Sequence, residues 1–528
     1  MKYFLHLYIL LHCFAQTPAM SPLLLFSFVI GYFLVLLAVA WYTGRNSTNE
    51  SFFIGNKNSN WMLVAFGMIG TSLSGVTFVS VPGGVGDLVG GHFKGFAYLQ
   101  VALGYLLGYT VIAFILLPLY YRLNLTSIYH YLMQRFGRTA YKTGALFFII
   151  SRTVGATARL YLVINVLQIF ILDRMGVPFI VTAAIILLMI LLYTFEGGVK
   201  TIVYTDTLQT SLMIGGLVVC VVYILNQLNL SLGQAAVQMR DAGYLKVFNT
   251  DINSKAFFLK QIIGGAFITI AMTGLDQEMM QKNISVKRLA DSQKNVLSLA
   301  VVLVSVLVLF LFLGGLLYLF AVSKGGLYQE ILSGGKPLHQ LILDQKNIIG
   351  DKIFPSVVMQ YFPPAIGILF IIALISALFP SADGALTALT SSFCIDILGL
   401  QQRETWDEQK KKKVRLTVHF SFTLVFLICI MIFYKINDNS IIDIILDLAG
   451  YTYGPLLGLF AFGIFTKRHL PDHIGITLLA LLAPVLSFIL SKYVPIWFNQ
   501  YQIGLELLLI NGMITFAGLF LLSRPEKR

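Results

Sequence analysis

Residues Ile375 to Leu398 read ISALFPSADGALTALTSSFCIDIL, and the rest of the chain is read outward from them. The stretch is apolar enough to cross a bilayer, yet it carries Ser381, Asp383 and Thr387 beside Pro380 and Gly384. A carboxylate at membrane depth costs at least about 2.5 kcal/mol unless it faces a partner or a cavity, so Asp383 marks a functional site. Pro380 has no backbone N–H and crowds the carbonyl four residues back, which frees carbonyl oxygens near Ser376 and Ala377. Carbonyls, hydroxyls and a carboxylate form a cluster of hard oxygens. That donor set suits a small alkali cation, because the thiolate and imidazole ligands of transition metals are missing between Ser376 and Thr387.

The composition fits this reading. Of 528 residues, 57% are hydrophobic and 12% charged, against about 25% charged in soluble domains. The chain is an all-α polytopic membrane protein. Its formal charge of +13 would suggest nucleic acid in a soluble protein, but in a membrane protein the sign is read loop by loop. The four cysteines have no paired spacing and imply neither a disulfide framework nor a zinc site. From residue 21 onward thirteen apolar spans reach the ~20 residues that a bilayer requires. Arg135, Arg138, Lys287, Arg288, Lys410 to Lys413, Lys467 and Arg468 fall on loops of one side. The excess predicts an N-terminus outside, a cytoplasmic C-terminus and residence in the plasma (inner) membrane. Lys410 to Lys413 is read as this topology signal, with anionic-lipid contact as the alternative. Residues 1–20 are a leader or follow a misplaced start codon, with Met20 directly before the first full span.

The second span, Asn60 to Gly86, is crowded with Gly67, Gly70, Ser72, Ser74, Gly75 and Thr77 and ends in Pro82, Gly83 and Gly84. Such a helix can unwind near its middle, and unwound backbone at membrane depth is allowed where it lines a cavity, its carbonyls then facing a cation. The carbonyls of Gly70 and Leu73 are the candidates, against the alternative that these small residues only permit close helix packing. Five spans later, 257–282 repeats the pattern with Gly264, Gly265, Thr269, Thr273 and Gly274. Interruptions in the first and sixth members of a series point to two inverted five-helix repeats with a site at the midplane. The expected organisation is a peripheral helix and loop over 21–59, a first repeat over 60–227, an extracellular loop over 228–256, a second repeat over 257–466 and two peripheral helices with a tail over 467–528. The insertion 322–360 contains KGGLYQEILSGGKP, read as turn, helix, turn, acting as a cover or a lid.

Charges inside spans are further candidates. Arg152 and Arg159 are two helical turns apart on nearly one face. Either could hold a substrate carboxylate in bidentate fashion or pair internally with Asp206, Asp383 or Asp447. Asp206 could ligate a cation, relay a proton or pair with an arginine. Asp276 and Glu278 are expected near a helix end beside Lys282, solvated or salt-bridged, and Asp443 and Asp447 near an outer gate or the interface. His92, His130 and His419 read as isolated residues. No acid–base pair, zinc spacing or nucleophile elbow is visible, which argues against an enzyme.

At these residues the chain resembles the sodium:solute symporter family of sodium-coupled sugar, proline, iodide and sialic acid carriers. The matching stretches are GTSLSGVTFVSVPGG (70–84), SIYHYLMQRFG (127–137), EGGVKTIVYTDTLQT (196–210), GLDQEMMQKN (274–283), the opening stretch and GPLLGLFAFGIF (454–465). The resemblance implies a sodium site between the first and eighth core helices, built from carbonyls of Gly70, Leu73 and Ala377 and the hydroxyl of Ser381. It also implies a second-sodium role for Asp383 and Asp206. The sequence departs from the family at Pro380, where one of two adjacent hydroxyl residues is usual. By position, the solute pocket includes Thr77, Thr269 and Met272, the last replacing an aromatic gate that stacks on sugars. With Arg159 available, the resemblance points to sodium-coupled symport of a small organic solute, anionic or zwitterionic, with sugars still open, and with no cofactor beyond the coupling ion. The rivals are a proton-coupled carrier of the same fold and a solute sensor without net transport.

Overall fold

A computed structural model of the protein describes residues 21–44, 60–89, 92–125, 127–194, 198–333, 336–403, 405–436, 441–498 and 500–525. The possible leader lies outside the described residues. In chain order the helices begin with α1 (Pro22–Gly44), α2 (Trp61–Ser72), α3 (Gly75–Gly83), α4 (Tyr98–Val111), α5 (Leu117–Arg122), α6 (His130–Phe136) and α7 (Arg138–Leu167). They continue with α8 (Phe179–Thr194), α9 (Gly198–Leu228), α10 (Leu232–Asp241), α11 (Phe258–Thr269), α12 (Gln277–Ile284) and α13 (Leu289–Ser323). The last are α14 (Ile353–Tyr361), α15 (Pro364–Ser392), α16 (Glu408–Ile436), α17 (Ile441–Thr452), α18 (Gly454–Phe465), α19 (Gly475–Trp497) and α20 (Leu507–Leu522). Eight straight helical stretches among the described residues are long and apolar enough to cross a membrane, and three bent pairs pass the same test together. Two shorter apolar helices, α8 and α20, add to these.

Each bend has a local cause. Between α2 and α3 the axis turns by 53°, because Leu73 leaves helical geometry (φ −91°, ψ 72°) and Ser74 is extended. From α11 through a π-turn at Ile270–Gly274 into α12 the turn is 65°. There the helix restarts on Asp276, whose Oδ1 accepts from the Glu278 N–H at 2.9 Å and the Met279 N–H at 3.3 Å, the N-cap arrangement that satisfies orphan donors. The carbonyls stranded by this break are also answered: Tyr120 donates to Gly274 O at 2.7 Å and Tyr129 to Leu275 O at 2.9 Å. Between α17 and α18 the turn is 46°, and Pro455 sits in the first turn of the restarted helix, where its missing N–H costs little. This third break is not one of the two interruptions expected from the sequence.

The insertion 322–360 departs from expectation. Residues 327–333 and 336–343 form an antiparallel pair, β3 and β4, with Ser333 opposite Lys336 and a short β5 (Lys346–Asn347) beside them. A smaller ladder, β1 (Leu88–Val89) with β2 (His92–Phe93), precedes α4. Two residues separating two runs rich in Leu and Ile are a hairpin signal, and the paired glycines between Ser333 and Lys336 fit it better than they fit a helix boundary. The helix expected within 324–337 is therefore replaced by strand, and the short helix α14 lies outside that stretch.

Helix α15 is the axis of the molecule. From Ala373 to Ser392 every residue is buried, and the helix packs against α1, α2, α3, α7, α8, α9, α12 and α16. A helix buried on all faces can hold polar side chains only where its neighbours answer them.

Candidate cation and solute site

The first broken helix crosses α15 at Pro380. A Cβ placed on Gly70 would overlap the Thr210 hydroxyl and lie 3.6 Å from Pro380 Cγ, and one on Gly75 would lie 3.8 Å from the Leu378 backbone nitrogen. Lack of a side chain at 70 thus lets α2 lie against Thr210 of α9, and at 75, where a Cβ would overlap Val163 Cγ2, it lets α3 lie against α7, with α15 at ordinary contact distance from both. The expected cation groups lie on the two stretches that meet at this crossing, Gly70 and Leu73 at the end of α2 and Ala377 and Ser381 on α15. Leu73 is 1% exposed, Ala377 0% and Ser381 1%, and the Ser381 hydroxyl donates to Leu378 O at 2.9 Å, which leaves its lone pairs to accept or to coordinate. Thr210 Oγ1 beside Gly70 and Thr387 Oγ1 on α15 are buried with no hydrogen-bond partner among the described residues. Buried polar atoms left open in this way mark a place for water or an ion.

One turn along α15, Asp383 is fully buried. Tyr193 of α8 donates to its Oδ2 at 2.7 Å, and the Gly384 N–H lies 2.5 Å from its Oδ1. No ion pair to Asp383 occurs among the described residues. Nearby, Ser376 donates to the Tyr32 hydroxyl at 2.8 Å, tying α15 to α1.

Asp206 on α9 is equally buried but differently answered. Lys282 Nζ lies 2.8 Å from Asp206 Oδ2, 2.7 Å from Thr71 Oγ1 and 3.5 Å from Glu278 Oε1. Glu278 also receives the Arg152 guanidinium, Arg152 Nε lies 3.9 Å from Asp276 Oδ2, and Tyr453 donates to the same oxygen at 3.1 Å. A continuous charge lattice thus runs from α2 and α9 through α12 to α7 and the third break. Gly384 makes room for it, because any Cβ there would collide with the Glu278 carboxylate.

These contacts revise several expectations. Arg152 pairs with Glu278 and Asp276, not with Asp206, Asp383 or Asp447. Asp276 and Glu278 are buried and ion-paired, so the solvated alternative falls. Lys282, expected beside them near a helix end, is 3% exposed. The signal that could have found it is the capped restart at Asp276, which places Glu278 and Lys282 one turn apart on one face. His419 is not isolated: its two ring nitrogens meet Thr194 Oγ1 at 3.0 Å and Thr390 Oγ1 at 2.9 Å. Tyr193, the donor to Asp383, was not singled out, since nothing in sequence links residues 190 positions apart.

The solute candidates are only partly gathered. Arg159 is half-buried and makes no hydrogen bond or ion pair among the described residues, while lying within electrostatic range of Tyr98, Tyr105 and Tyr453. Thr77 is buried on α3, and Met272 is half-buried in the π-turn. Thr269 is engaged in packing. Its hydroxyl donates to Gly265 O at 3.0 Å, and a Cβ on Gly108 of α4 would lie 2.6 Å from its own Cβ. Further along, Lys94 bridges Asp443 at 3.3 Å and Asp87 at 3.8 Å. Among the described residues no group of three or more His, Cys, Asp or Glu side chains could hold a metal ion.

Bent helices that meet at a buried polar crossing within a bundle of membrane-length helices are the construction of a secondary transporter. The chain belongs to the sodium:solute symporter family, whose pattern matches residues 52–471. Among its relatives, the sodium/sialic acid symporter SiaT of Proteus mirabilis is 23% identical over 93% of this chain and 94% of its own length. The sodium-coupled monocarboxylate transporter 1 of Mus musculus is 25% identical over 91% of this chain and 73% of its own length. Among solved structures, a Na+-coupled sialic acid symporter in a substrate-bound outward-open state shares the fold with a TM-score of 0.75, at 20% identity, over 95% of this chain and 99% of that one. Mhp1, a nucleobase-cation-symport-1 family transporter in a closed conformation, is more distant at a TM-score of 0.51, 12% identity, 90% of this chain and 95% of that one.

Proposed function

We propose that the protein carries a small organic acid into the cell together with sodium, by alternating access, with its N-terminus outside and two inverted repeats over 60–227 and 257–466 rocking about the crossing at Pro380. The observation that carries this reading is Asp383, a carboxylate with zero exposure, one turn from the crossing at Pro380 and with no ion pair among the described residues, Lys282 acting on it only from beyond contact distance. A buried charge of that kind calls for a counter-ion. Sodium binds there to the carbonyls of Gly70, Leu73 and Ala377, the Ser381 hydroxyl and the Asp383 carboxylate. By joining α2 to α15 it favours the outward-open state and completes the solute site. Linkage requires each ligand to raise the other's affinity equally, and the inward membrane potential adds about 2.3 kcal/mol per charge per 100 mV.

Arg159 anchors the solute through a carboxylate, with Thr77 and Met272 as further solute contacts. Support comes from its free guanidinium and from the relatives named for sialic acid and monocarboxylates. Thr269, tied to α4, contributes to packing. A proton in place of sodium is the second reading, favoured by Pro380 standing where the family usually has a hydroxyl. Uptake of radiolabelled sialic acid and lactate into proteoliposomes separates the two. Accumulation driven by an inward sodium gradient at equal pH supports sodium coupling, and accumulation driven only by a pH gradient overturns it. Binding without uptake under either gradient points to a sensor.

A further inference from the structure

We propose that Lys282 is a built-in cation, its ammonium occupying the place at Asp206 that a second sodium would take, so that the protein binds one sodium fewer than its buried carboxylates would admit. The consequence for coupling rests on the sodium reading above; the occupied site does not. The Lys282 ammonium donates to Asp206 Oδ2 at 2.8 Å and to Thr71 Oγ1 at 2.7 Å, and it faces Glu278 Oε1 as an ion pair at 3.5 Å. Two carboxylates and a hydroxyl form the hard-oxygen set that an alkali ion would select. Thr71 adjoins Gly70 on the first broken helix, Asp206 is on α9 and Glu278 is on the restarted half of the second broken helix. The tethered charge therefore joins the same moving parts that an ion would join.

The ammonium is held from the other side as well. Glu278 is shared with Arg152, and Gly384 lets the Glu278 carboxylate press against α15, so Lys282 cannot swing away without breaking that lattice. A sodium ion entering between Asp206 and Thr71 would meet a like charge at contact distance. Asp383 offers the opposite case, a carboxylate with hydrogen-bond donors but no ion pair.

The test counts bound sodium on the purified full-length protein with ²²Na⁺ alone, at neutral pH and without solute. Wild type is expected to bind about one sodium per chain, Lys282→Ala twice as many, and Lys282→Ala with Asp206→Asn the wild-type number again. Asp206→Asn by itself keeps the wild-type number, since Glu278 still faces the amine. A count unchanged by Lys282→Ala, or lowered by Asp206→Asn, overturns the proposal. If Lys282→Ala does not fold, Asp206→Asn alone decides. No sodium on wild type but one on Lys282→Ala, lost again in the double variant, would overturn the sodium-coupled reading and leave the built-in cation standing.

Discussion

Asp206 and Asp383 are both carboxylates with zero exposure, on helices that pack directly against each other, and they have been given opposite surroundings. Asp206 has an ammonium at 2.8 Å; Asp383 has a tyrosine hydroxyl at 2.7 Å and a backbone N–H at 2.5 Å. On the function proposed above, a charge inside the bundle is either closed by the protein's own cation or left for a passenger. The first arrangement holds helices together permanently. The second does so only when the passenger is aboard, which is what a carrier requires of a site that must also let go.

The difference should be largest in stability. In sodium-free buffer Lys282→Ala leaves Asp206 and Glu278 short of a partner and is expected to cost about 3–5 kcal/mol, whereas Asp383→Asn breaks no ion pair and should leave thermal unfolding unchanged or raise it. Equal losses in the two variants would erase the distinction. Adding sodium should reverse the order of interest: wild type gains thermal stability with increasing sodium, and Asp383→Asn shifts the sodium midpoint upward by about 10- to 100-fold, or about 1.4–2.7 kcal/mol. A midpoint that Asp383→Asn leaves in place would remove Asp383 from the cation shell. Tyr193→Phe deletes one hydrogen bond to a charged group, worth about 1.5–3 kcal/mol, and should weaken sodium by up to about 10-fold while leaving the Asp206 cluster untouched.

The smallest effect is expected at a third carboxylate, outside the spans. Burial pushes Asp87 up to about 6 from 3.8, although Lys94 beside it pulls the other way. Between about pH 4 and 6 the folded protein therefore binds more protons at this site than the unfolded chain, so stability falls as pH rises through that window and levels off above it. With the Asp87 side chain one-quarter exposed, the slope is expected to amount to about 1 kcal/mol. Subtracting the unfolding profile of Asp87→Asn from that of wild type, measured from pH 4 to 8, should recover it; a flat difference would show that Lys94 fully compensates the burial.

Much of the fold could be read from residue types along the chain. Glycines and hydroxyl residues around Leu73 and Gly274 marked two of the three breaks, because residues with little or no side-chain bulk are those that let a helix unwind inside a packed bundle. The third, at Gly454 and Pro455, was hidden within an apolar run. The hairpin over 327–343 was hidden because the paired glycines read as a helix boundary, although two residues between two strand-like runs are the stronger hairpin signal. His419 was misread since one histidine in a span gives no hint of two threonines that reach it from other helices, 225 and 29 positions away.

The site divides along the same line. Hydropathy and the cost of burying charge were enough to place Asp206, Asp383, Arg152 and Arg159 inside the membrane and to demand partners for them, since that cost depends only on residue type and depth. Which partner each one received was decided by the packing of α12 against α9 and α15. That packing depends on Asp276 restarting a helix at a 65° bend and on Gly384 leaving space for a carboxylate. Contacts between groups 76 and 126 positions apart exist only once the bundle has closed, so the chain order could announce the charges but not pair them.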